Sequence, residues 1–479
     1  MADTVSINGR GQIIRPANIF IYPKGEDLQV DDLRAFILHN KSIANEYHQN
    51  EQMYLGNHDI LHSPDKRIGF NNRLVANLPH YIVETYNGYF AGVEPKFTLD
   101  DDVNNGLLQD WNNTNSFADK LNEISRTVDI VGRALTFVYQ DEDSNTRVAF
   151  ADPDGAFVVY DDTVARDSLA FVRYWDDAEG RQHAVIYYAN HVQTMVDGAF
   201  VDDQINPYGY VPAVEFYSNE DRQGVFDNVK TLINALDKVL SQKANQTEYF
   251  DNAYLKVLGL NLDADNDGKP DVDIASNQMI YSPDADATSA TVDFISKPDG
   301  DGMQENLITR LISMIYQISM VANLNDEAFA GNSSGVALQY KLLPMSNMAA
   351  TKERKFTQAL RKLYRIVFSA GTVLNQQSAD AWKDLKFQFT RNLPINYADE
   401  ADTASKLTGI TSKETQLSIL SFVDDPKKEL ARIAEENSNQ VKQAVTNQAS
   451  ALDLVKDDNS NSQGDVADEQ DAEAPEDKQ

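Results

Sequence analysis

The chain has 479 residues, 42% of them hydrophobic, which is enough to bury a sizeable core and predicts about two to four domains. It contains no cysteine, so disulfides and thiolate metal sites are excluded, and the composition suits a reducing cytoplasm. The formal net charge is −32, from 42 basic and 74 acidic residues, which argues against tight nucleic-acid binding over most of the surface.

Neither a secretion signal nor a membrane span is predicted. Residues 1–28 have no apolar run behind a basic start. The most apolar helical stretch, residues 307–324, is too short to cross a bilayer and is interrupted by Arg310. We therefore expect a soluble protein.

The first part of the chain predicts helices. Residues 32–50 predict one that ends near Gly56, and residues 104–132 predict two more. Between them, residues 71–91 place apolar side chains four positions apart, as on one face of a helix: Leu74, Leu78, Ile82 and Tyr86. Pro79 lies within this stripe and is expected to break or kink the helix.

From residue 133 to 217 the pattern changes to short β-rich runs divided by Asp, Gly and Asn turns, which predicts an antiparallel meander. Long amphipathic helices are then predicted at about 220–250, 303–323 and 336–376. The segment between the first two, 251–300, is acidic and turn-rich and predicts short strands. The second helix is expected to carry its apolar side chains on one face: Leu307, Leu311, Ile315 and Ile318.

The C-terminal part predicts capped helices and a tail. Thr411 and Glu414 have the spacing of a capping box, and Asp425 is a predicted N-cap with Pro426 at the first helical position. Residues 456–479 hold nine acids, two lysines and almost no large apolar side chains, which predicts a disordered acidic tail.

The run GNSSG, Gly331–Gly335, matches the G-x-S-x-G elbow of serine hydrolases. That elbow needs a strand before Ser333 and a histidine later in the chain. Here a helix is predicted before the motif, and all seven histidines lie upstream of it. Other triad orders stay open, but no residue marks a partner, and a helix–helix turn capped by Asn332, Ser333 or Ser334 is the favoured interpretation.

Two further motifs resemble metal sites. HDILH, residues 58–62, has the spacing of a two-histidine zinc motif, but Asp59 replaces the glutamate and no third ligand is evident. In residues 263–273, Asp263, Asp265, Asp267, Gly268 and Asp271 fit the first nine positions of a calcium loop, but Ile274 stands at the twelfth, where a bidentate glutamate belongs. We interpret the first as a polar turn and the second as an acidic hairpin tip. No P-loop is present, so no ATPase is indicated.

Six basic residues gather on the third long helix. In so acidic a chain, pairing with acids of a neighbouring subunit is expected more readily than DNA binding. These residues are Lys352, Arg354, Lys355, Arg361, Lys362 and Arg365.

Several blocks between about residues 53 and 436 resemble, in order, the portal proteins of long-tailed, siphovirus-type double-stranded-DNA bacteriophages. The blocks are YLGNHDIL, NNRLVANLPHYIVETYNGYFAGVEP, VEFYSNEDRQGVFDNVKTLINALDKVLSQKANQTEYFDNAYL, FAGNSSGVALQYKLLPMSNMAATKERKF and TGITSKETQLSILSFVDDPKKELARIAEE. The rival interpretations are an acidic calcium-binding surface or adhesion protein and a hydrolase. Each requires features that the sequence lacks: a secretion signal with complete calcium loops, or a downstream histidine or third zinc ligand.

The resemblance implies an α+β portal fold, with an α/β wing, a two-helix stem, a small β-containing clip, a long wing helix and an α-helical crown. Twelve copies would form a ring around a central DNA channel. The implied segments are the wing at 1–218, stem helices at 219–250 and 303–323, clip at 251–302, tunnel loop at 324–337, long helix and return at 338–400, crown at 401–455 and acidic tail at 456–479.

The resemblance also implies partners and sites. The partners are the terminase large subunit, a head–tail adaptor, the major capsid and scaffolding proteins, and double-stranded DNA that passes without sequence-specific contact. It implies no enzyme activity, no cofactor, no metal and no membrane, and places the protein at the capsid vertex of the virion after assembly in the host bacterial cytoplasm. The clip loop would use Asp263, Asp265, Asp267 and Asp271, and the DNA-facing tunnel loop Asn325, Asp326, Glu327, Phe329, Gly331, Asn332, Ser333, Ser334 and Gly335.

Overall fold

The computed structural model describes residues 3–6, 9–65, 70–251, 255–260, 262, 279–282, 291–294, 301–325, 335–393, 397–420, 422–423 and 425–459. The chain divides into two compact units, residues 1–392 and 393–479. Helices and sheets occur together in the first unit, as expected for an α+β protein. A search of the described residues finds no helix that is both long and apolar enough to cross a membrane.

Four helices precede the main strands of the first unit. They are α1 (Val30–Tyr54), α2 (Leu78–Ala91), α3 (Asp102–Thr114) and α4 (Phe117–Val131), with a 3-10 turn at Asp59–His62 after α1. The predicted helices at 32–50 and 104–132 are confirmed. Buried side chains of α3 and α4, such as Leu108, Leu121 and Val128, belong to one hydrophobic core, whereas Leu33 and Phe36 of α1 belong to another.

A break or a kink was predicted at Pro79, and no kink occurs: the helix begins at Leu78, and residues 71–77 before it are not helical. The side chain of Asn77 caps it by accepting a hydrogen bond from the backbone N–H of His80 at 3.2 Å. Proline is well suited to the first turn of a helix, where its missing N–H leaves no bond unmade. Leu74 was predicted to share the helical stripe, but it lies before the start of the helix.

Eight strands form one sheet, and three of them precede the predicted meander. Neighbouring strands are antiparallel except where β3 runs parallel to β7, with Phe20 opposite Val159. In spatial order they are β1 (Asp3–Ser6), β2 (Gln12–Arg15), β3 (Ile19–Tyr22), β7 (Ala156–Asp161), β8 (Ser168–Asp176), β9 (Gln182–Tyr188), β10 (His191–Val196) and β11 (Ala199–Ile205).

The predicted meander is therefore split between two sheets. The second sheet has the order β12 (Ala213–Tyr217), β5 (Arg133–Gln140) and β6 (Thr146–Ala151), all antiparallel. Side chains of both sheets, including Leu135 and Phe171, are buried in one shared hydrophobic cluster. The larger sheet is covered on both faces at β7, whose six residues are all buried, whereas every residue of the edge strand β11 is exposed. The strands of the two sheets therefore do not carry distinct burial patterns that would assign each strand to its sheet.

Two long helices flank a small three-stranded sheet. They are α5 (Lys230–Asp251) and α6 (Asp301–Ser319), and the sheet has β13 (Leu255–Leu258) between β14 (Met279–Ser282) and β15 (Thr291–Phe294). The prediction of a helix from residue 220 is corrected, because α5 starts ten residues later. Asn219 closes a turn there, accepting from the N–H of Gln223 at 3.0 Å and donating to its carbonyl at 2.8 Å.

The longest helix of the first unit is α7 (Gly335–Ser369), followed by a 3-10 segment at Gln376–Lys383. The predicted amphipathic helix is confirmed, and its apolar side chains Phe356, Leu360, Leu363 and Val367 are all buried. The helix ends before the predicted residue 376, and Gly371 then adopts a φ of 70°, in the left-handed region. A short antiparallel pair, β4 (Lys96–Thr98) and β16 (Lys386–Gln388), completes the unit.

The second unit contains α8 (Tyr397–Lys406), α9 (Lys413–Ser418) and α10 (Pro426–Asn459). The capping prediction at Thr411 is wrong by one residue, because Ser412 accepts the hydrogen bond from Thr415 N at 3.2 Å. The Asp425 cap is confirmed by its bonds from Lys427 N at 2.9 Å and Lys428 N at 3.1 Å. The helix runs four residues into the segment predicted to be disordered, and residues 460–479 lie outside the described part.

Candidate functional site: a helical hairpin and its anchor

Helices α5 and α6 form an antiparallel hairpin. Gln304 donates from Nε2 to Oε1 of Gln246 at 3.0 Å, and Lys243 pairs with Glu305, which places the end of α5 beside the start of α6. At the opposite end, α6 contacts the turn at Asp227–Val229 that leads into α5. The strands β13 to β15 lie in the connection, so the hairpin is a rod of two helices joined through a small sheet.

The apolar face of α6 is wider than the part of it that is buried. Ile308, Leu311 and Ile315 are buried. Four other apolar side chains of the same helix fall within an arc of about 60° at 100° per residue, and they are exposed. They are Met303, Leu307, Met314 and Ile318, with exposed fractions of 76%, 45%, 36% and 43%. We call these four residues the α6 stripe.

One face of α5 binds an extended segment, residues 71–77, which we call the anchor segment. Asp237 Oδ1 accepts from Ala76 N at 2.8 Å, and Ser241 Oγ accepts from Leu74 N at 2.9 Å. The series continues with Asn245 Oδ1, which accepts from Asn72 N at 2.7 Å. Four residues of helix rise about 6 Å, close to the rise of two residues of extended chain, so the two spacings match.

His58 binds the second carboxylate oxygen of Asp237, the first residue of this series on α5. Its Nδ1 lies 2.5 Å from Asp237 Oδ2, and its Nε2 lies 2.9 Å from the carbonyl oxygen of Met53. Both partners are acceptors, so the bonding is complete only when both ring nitrogens carry protons. Burial alone would lower the pKa of His58, but the hydrogen bond and charge of Asp237 raise it above the ordinary 6.5.

This pairing predicts a pH-dependent stability. Because the folded-state pKa of His58 is raised, its contribution is complete below about pH 6.5 and is lost as the pH rises through the folded-state value. Between pH 6 and pH 8, the melting temperature of the wild type should fall, and that of His58→Gln should fall less. At pH 6, His58→Gln should have the lower melting temperature of the two. The matched control is His62→Gln, which removes an exposed histidine whose Nε2 lies 2.7 Å from Oδ1 of Asn57. Equal pH slopes in wild type and His58→Gln would contradict the assignment.

The zinc interpretation of HDILH does not hold. Residues 59–62 form a 3-10 turn, in which positions four apart do not share a face. His58 is fully buried with both nitrogens bonded, whereas His62 is exposed. In the described part of the chain, no three histidine or acidic side chains come together as a metal site.

The six basic residues of α7 do not form one exposed patch. Lys352 is fully buried, and its Nζ lies 2.7 Å from both carboxylate oxygens of Asp129 on α4. Lys355 pairs with Glu220 of the same chain. The expectation that all six face a neighbouring subunit is corrected for these two, whose acids lie within the chain.

The remaining four differ in exposure and partners. Arg361 donates to the carbonyl of Lys383 at 3.1 Å, and the guanidinium of Arg365 lies 4.0 Å from the centre of the Tyr210 ring. Arg354 is exposed and donates to the carbonyl of Ala350 at 3.1 Å. Lys362 is half-buried, and its ammonium has no hydrogen bond or ion pair to any described residue.

Two predicted loops lie largely outside the described residues. The clip-loop acids Asp263, Asp265, Asp267 and Asp271 do so entirely. Of the tunnel loop, Asn325 follows a segment held by the bond from Leu324 N to Tyr81 Oη at 3.1 Å, and Gly335 is the first residue of α7. The residues between them, including Ser333, are not described.

Sequence patterns did not identify Asp237, Ser241 or Asp129 as functional positions. Each is a single polar residue on an amphipathic helix, and its partner lies more than 160 residues away along the chain. The only local signal is a polar side chain inside an apolar stripe, and many surface helices share that signal.

Comparison with known proteins agrees with the resemblance in the sequence. The profile of the phage portal protein family, SPP1 Gp6-like, matches residues 33–443. The portal protein of Bacillus phage SPP1 is 27% identical over 411 residues, which cover 76% of each chain. The portal protein of Clostridium phage phiCD119 is 20% identical over 434 residues, covering 83% of this chain and 94% of that one. The family match spans well over half of the chain, which therefore belongs to the SPP1 Gp6-like family of phage portal proteins.

Proposed function

We propose that twelve copies of this chain form a ring at one vertex of the capsid, as the head–tail connector through which double-stranded DNA is packaged and later ejected. The observation that carries the proposal is the α6 stripe. A helix that is packed on one side needs an apolar stripe about 100° wide, whereas α6 is apolar over about 180°. A second copy of the chain, placed beside the first in a ring, would cover the exposed apolar side chains of the α6 stripe.

The charge of the chain fits a conduit. A net charge of −32 repels the phosphate backbone, so DNA passes along the channel without a strong binding site that would stall it. The six basic residues of α7 do not offer a continuous phosphate-binding surface, because Lys352 is buried and Lys355 is paired. The role we propose is structural, and the ATP-driven work belongs to the terminase motor.

The parts of the chain are assigned by their positions. In this proposal α5 and α6 are the stem, and residues 251–302 are the clip that docks the terminase large subunit and later the head–tail adaptor. Residues 324–337 are the tunnel loop that approaches DNA. The helices within 401–455 form the crown, and the two-sheet wing faces the major capsid and scaffolding proteins.

Imaging and mass measurement of the purified protein test this function. We expect negative-stain images to show rings with a central hole, and native mass spectrometry to show a particle twelve times the 53.6 kDa of the chain. Rings reconstituted into procapsids with terminase should yield DNase-protected DNA. A protein that remains monomeric at all concentrations, or rings that package no DNA, would count against the proposal.

A further inference from the structure

A polar cavity of about 640 Å³ lies beside α7 in the first unit. Its walls are the loop between β7 and β8, the end of β12 with the turn that follows it, and one face of α7. Lys355, Gln358 and Lys362 are spaced by three and four residues and so point to the same side of that helix. Four cationic residues line the cavity, which we call the cationic socket: Arg166, Arg222, Lys355 and Lys362.

Two of these four cations are already partnered within the chain. Arg222 is buried, donates to Glu220 and to Glu215, and stacks 3.8 Å from the centre of the Tyr217 ring. Lys355 is paired with Glu220. Glu215 also accepts a bond from Tyr160 Oη at 2.5 Å and lies 3.4 Å from the guanidinium of Arg133, so Glu215 and Glu220 both have cationic partners within the chain.

Lys362 and Arg166 are left without an anion. No described residue gives either side-chain cation a hydrogen bond or an ion pair. Arg166 is exposed to solvent, whereas Lys362 is half-buried with Asp167 nearby. Burial lowers the pKa of Lys362, and the charges of Asp167 and Glu215 only partly oppose this. An ammonium that loses water without gaining a partner is costly, so the position would favour an apolar side chain if nothing bound there.

The loop on the rim supports the same interpretation. Arg166 adopts a φ of 48°, in the left-handed region that residues with a side chain rarely occupy. The cost of such a conformation is about 1–3 kcal/mol, and it is commonly retained where a function requires it. The donor Nε of Arg222 also has no partner among the described residues. The socket therefore offers unmade bonds from three separate elements.

We propose that the cationic socket receives an aspartate or glutamate side chain from a neighbouring copy of this chain. This inference rests on the ring assembly proposed above. The chain carries 74 acids against 42 bases, so a neighbour offers carboxylates in excess, while its net charge repels free anions from solution. Assembly through other surfaces delivers a tethered carboxylate at a high effective concentration, which a free phosphate ion does not have.

Zero-length cross-linking of purified rings tests the inference. A carbodiimide joins an amine directly to a carboxylate, so the covalent dimer band should contain a peptide in which Lys362 is linked to an aspartate or glutamate. Lys362→Met should remove that link and lower the salt concentration at which rings dissociate at least twofold. The matched control is Lys383→Met, which removes an exposed lysine paired with Asp380 in its own chain at 2.6 Å.

The outcomes separate this inference from the ring itself. If wild-type protein forms no rings, the assembly proposal fails. If rings form but Lys362 is linked only to Asp167 of its own chain, and Lys362→Met rings resist salt like the wild type, only the inference fails. A phosphate-dependent rise in melting temperature that Lys362→Met abolishes, without an inter-chain link, would identify the socket as a free-oxyanion site and overturn the proposed occupant.

Discussion

Replacing Lys352 with methionine is expected to destabilise the folded chain by about 3–5 kcal/mol. The lysine is fully buried, and its ammonium is bonded to Asp129 and to the carbonyl of Ser125 at 3.2 Å. Removing it leaves a carboxylate in the core without a counter-charge. The aromatic rings around the ammonium add to the loss, since their centres lie within cation–π range. Those of Phe90, Tyr86 and Phe356 are 4.7, 5.0 and 5.3 Å away.

The stability that Lys352→Met loses should depend on pH. Burial raises the pKa of Asp129 to about 6, and Lys352 opposes this shift. Without the lysine the pKa rises further. A raised folded-state pKa means that proton binding favours the folded state, so the variant regains stability as the pH falls through that value. We expect the difference from the wild type to be largest above neutral pH and smaller near pH 5.

Urea unfolding of three variants measures the effect. Lys352→Met combined with Asp129→Leu should recover most of the loss, because a buried ion pair replaced by apolar side chains is often neutral. The matched control is Lys355→Met, one turn along α7, whose partly exposed pair with Glu220 should contribute less than about 1 kcal/mol. If Lys352→Met lowers the free energy of unfolding by less than Lys355→Met does, the buried ion pair does not stabilise the fold.

Helices and caps of this fold were predictable where a local sequence pattern is compatible with only one structure. Amphipathic periodicity identified the long helices α5, α6 and α7, although their ends differ from the predicted ones. The Asp425 cap followed from local backbone chemistry. Pro79 shows that one residue type can predict two different structures. A proline breaks the interior of a helix but favours its first turn, and the sequence around it does not state which position it occupies.

Tertiary pairing was not predictable from local patterns. Lys352 belongs to a run of basic residues and was grouped with them, yet its partner Asp129 lies 223 positions earlier. The prediction for α6 is confirmed for the helix and its apolar face, but it did not state what covers that face. Leu307, Leu311, Ile315 and Ile318 share an apolar arc, but only Leu311 and Ile315 are buried. Periodicity reports that a face is apolar and not what covers it, whether the same chain or another copy.

Placing glutamates on the α6 stripe is expected to abolish the ring without unfolding the chain. Leu307→Glu with Ile318→Glu changes two exposed positions, so the hairpin and its packing on α5 should survive, as circular dichroism would report. In a ring each α6 stripe would be buried against the next copy, where every apolar side chain contributes about 1.5–3 kcal/mol. Two buried carboxylates remove this contribution and add a desolvation cost at every interface of the ring.

The matched control places the same charges off the stripe, with Thr309→Glu and Ser313→Glu, two exposed polar positions on the opposite side of α6. Light scattering after size-exclusion chromatography should show monomers or small oligomers for the stripe variant and intact rings for the control. Loss of rings in both would indicate that added charge, not the stripe, disrupts assembly. Rings of unchanged mass in the stripe variant would show that the exposed apolar arc of α6 is not the contact between subunits, because a surface that tolerates two new charges is not buried in the assembly.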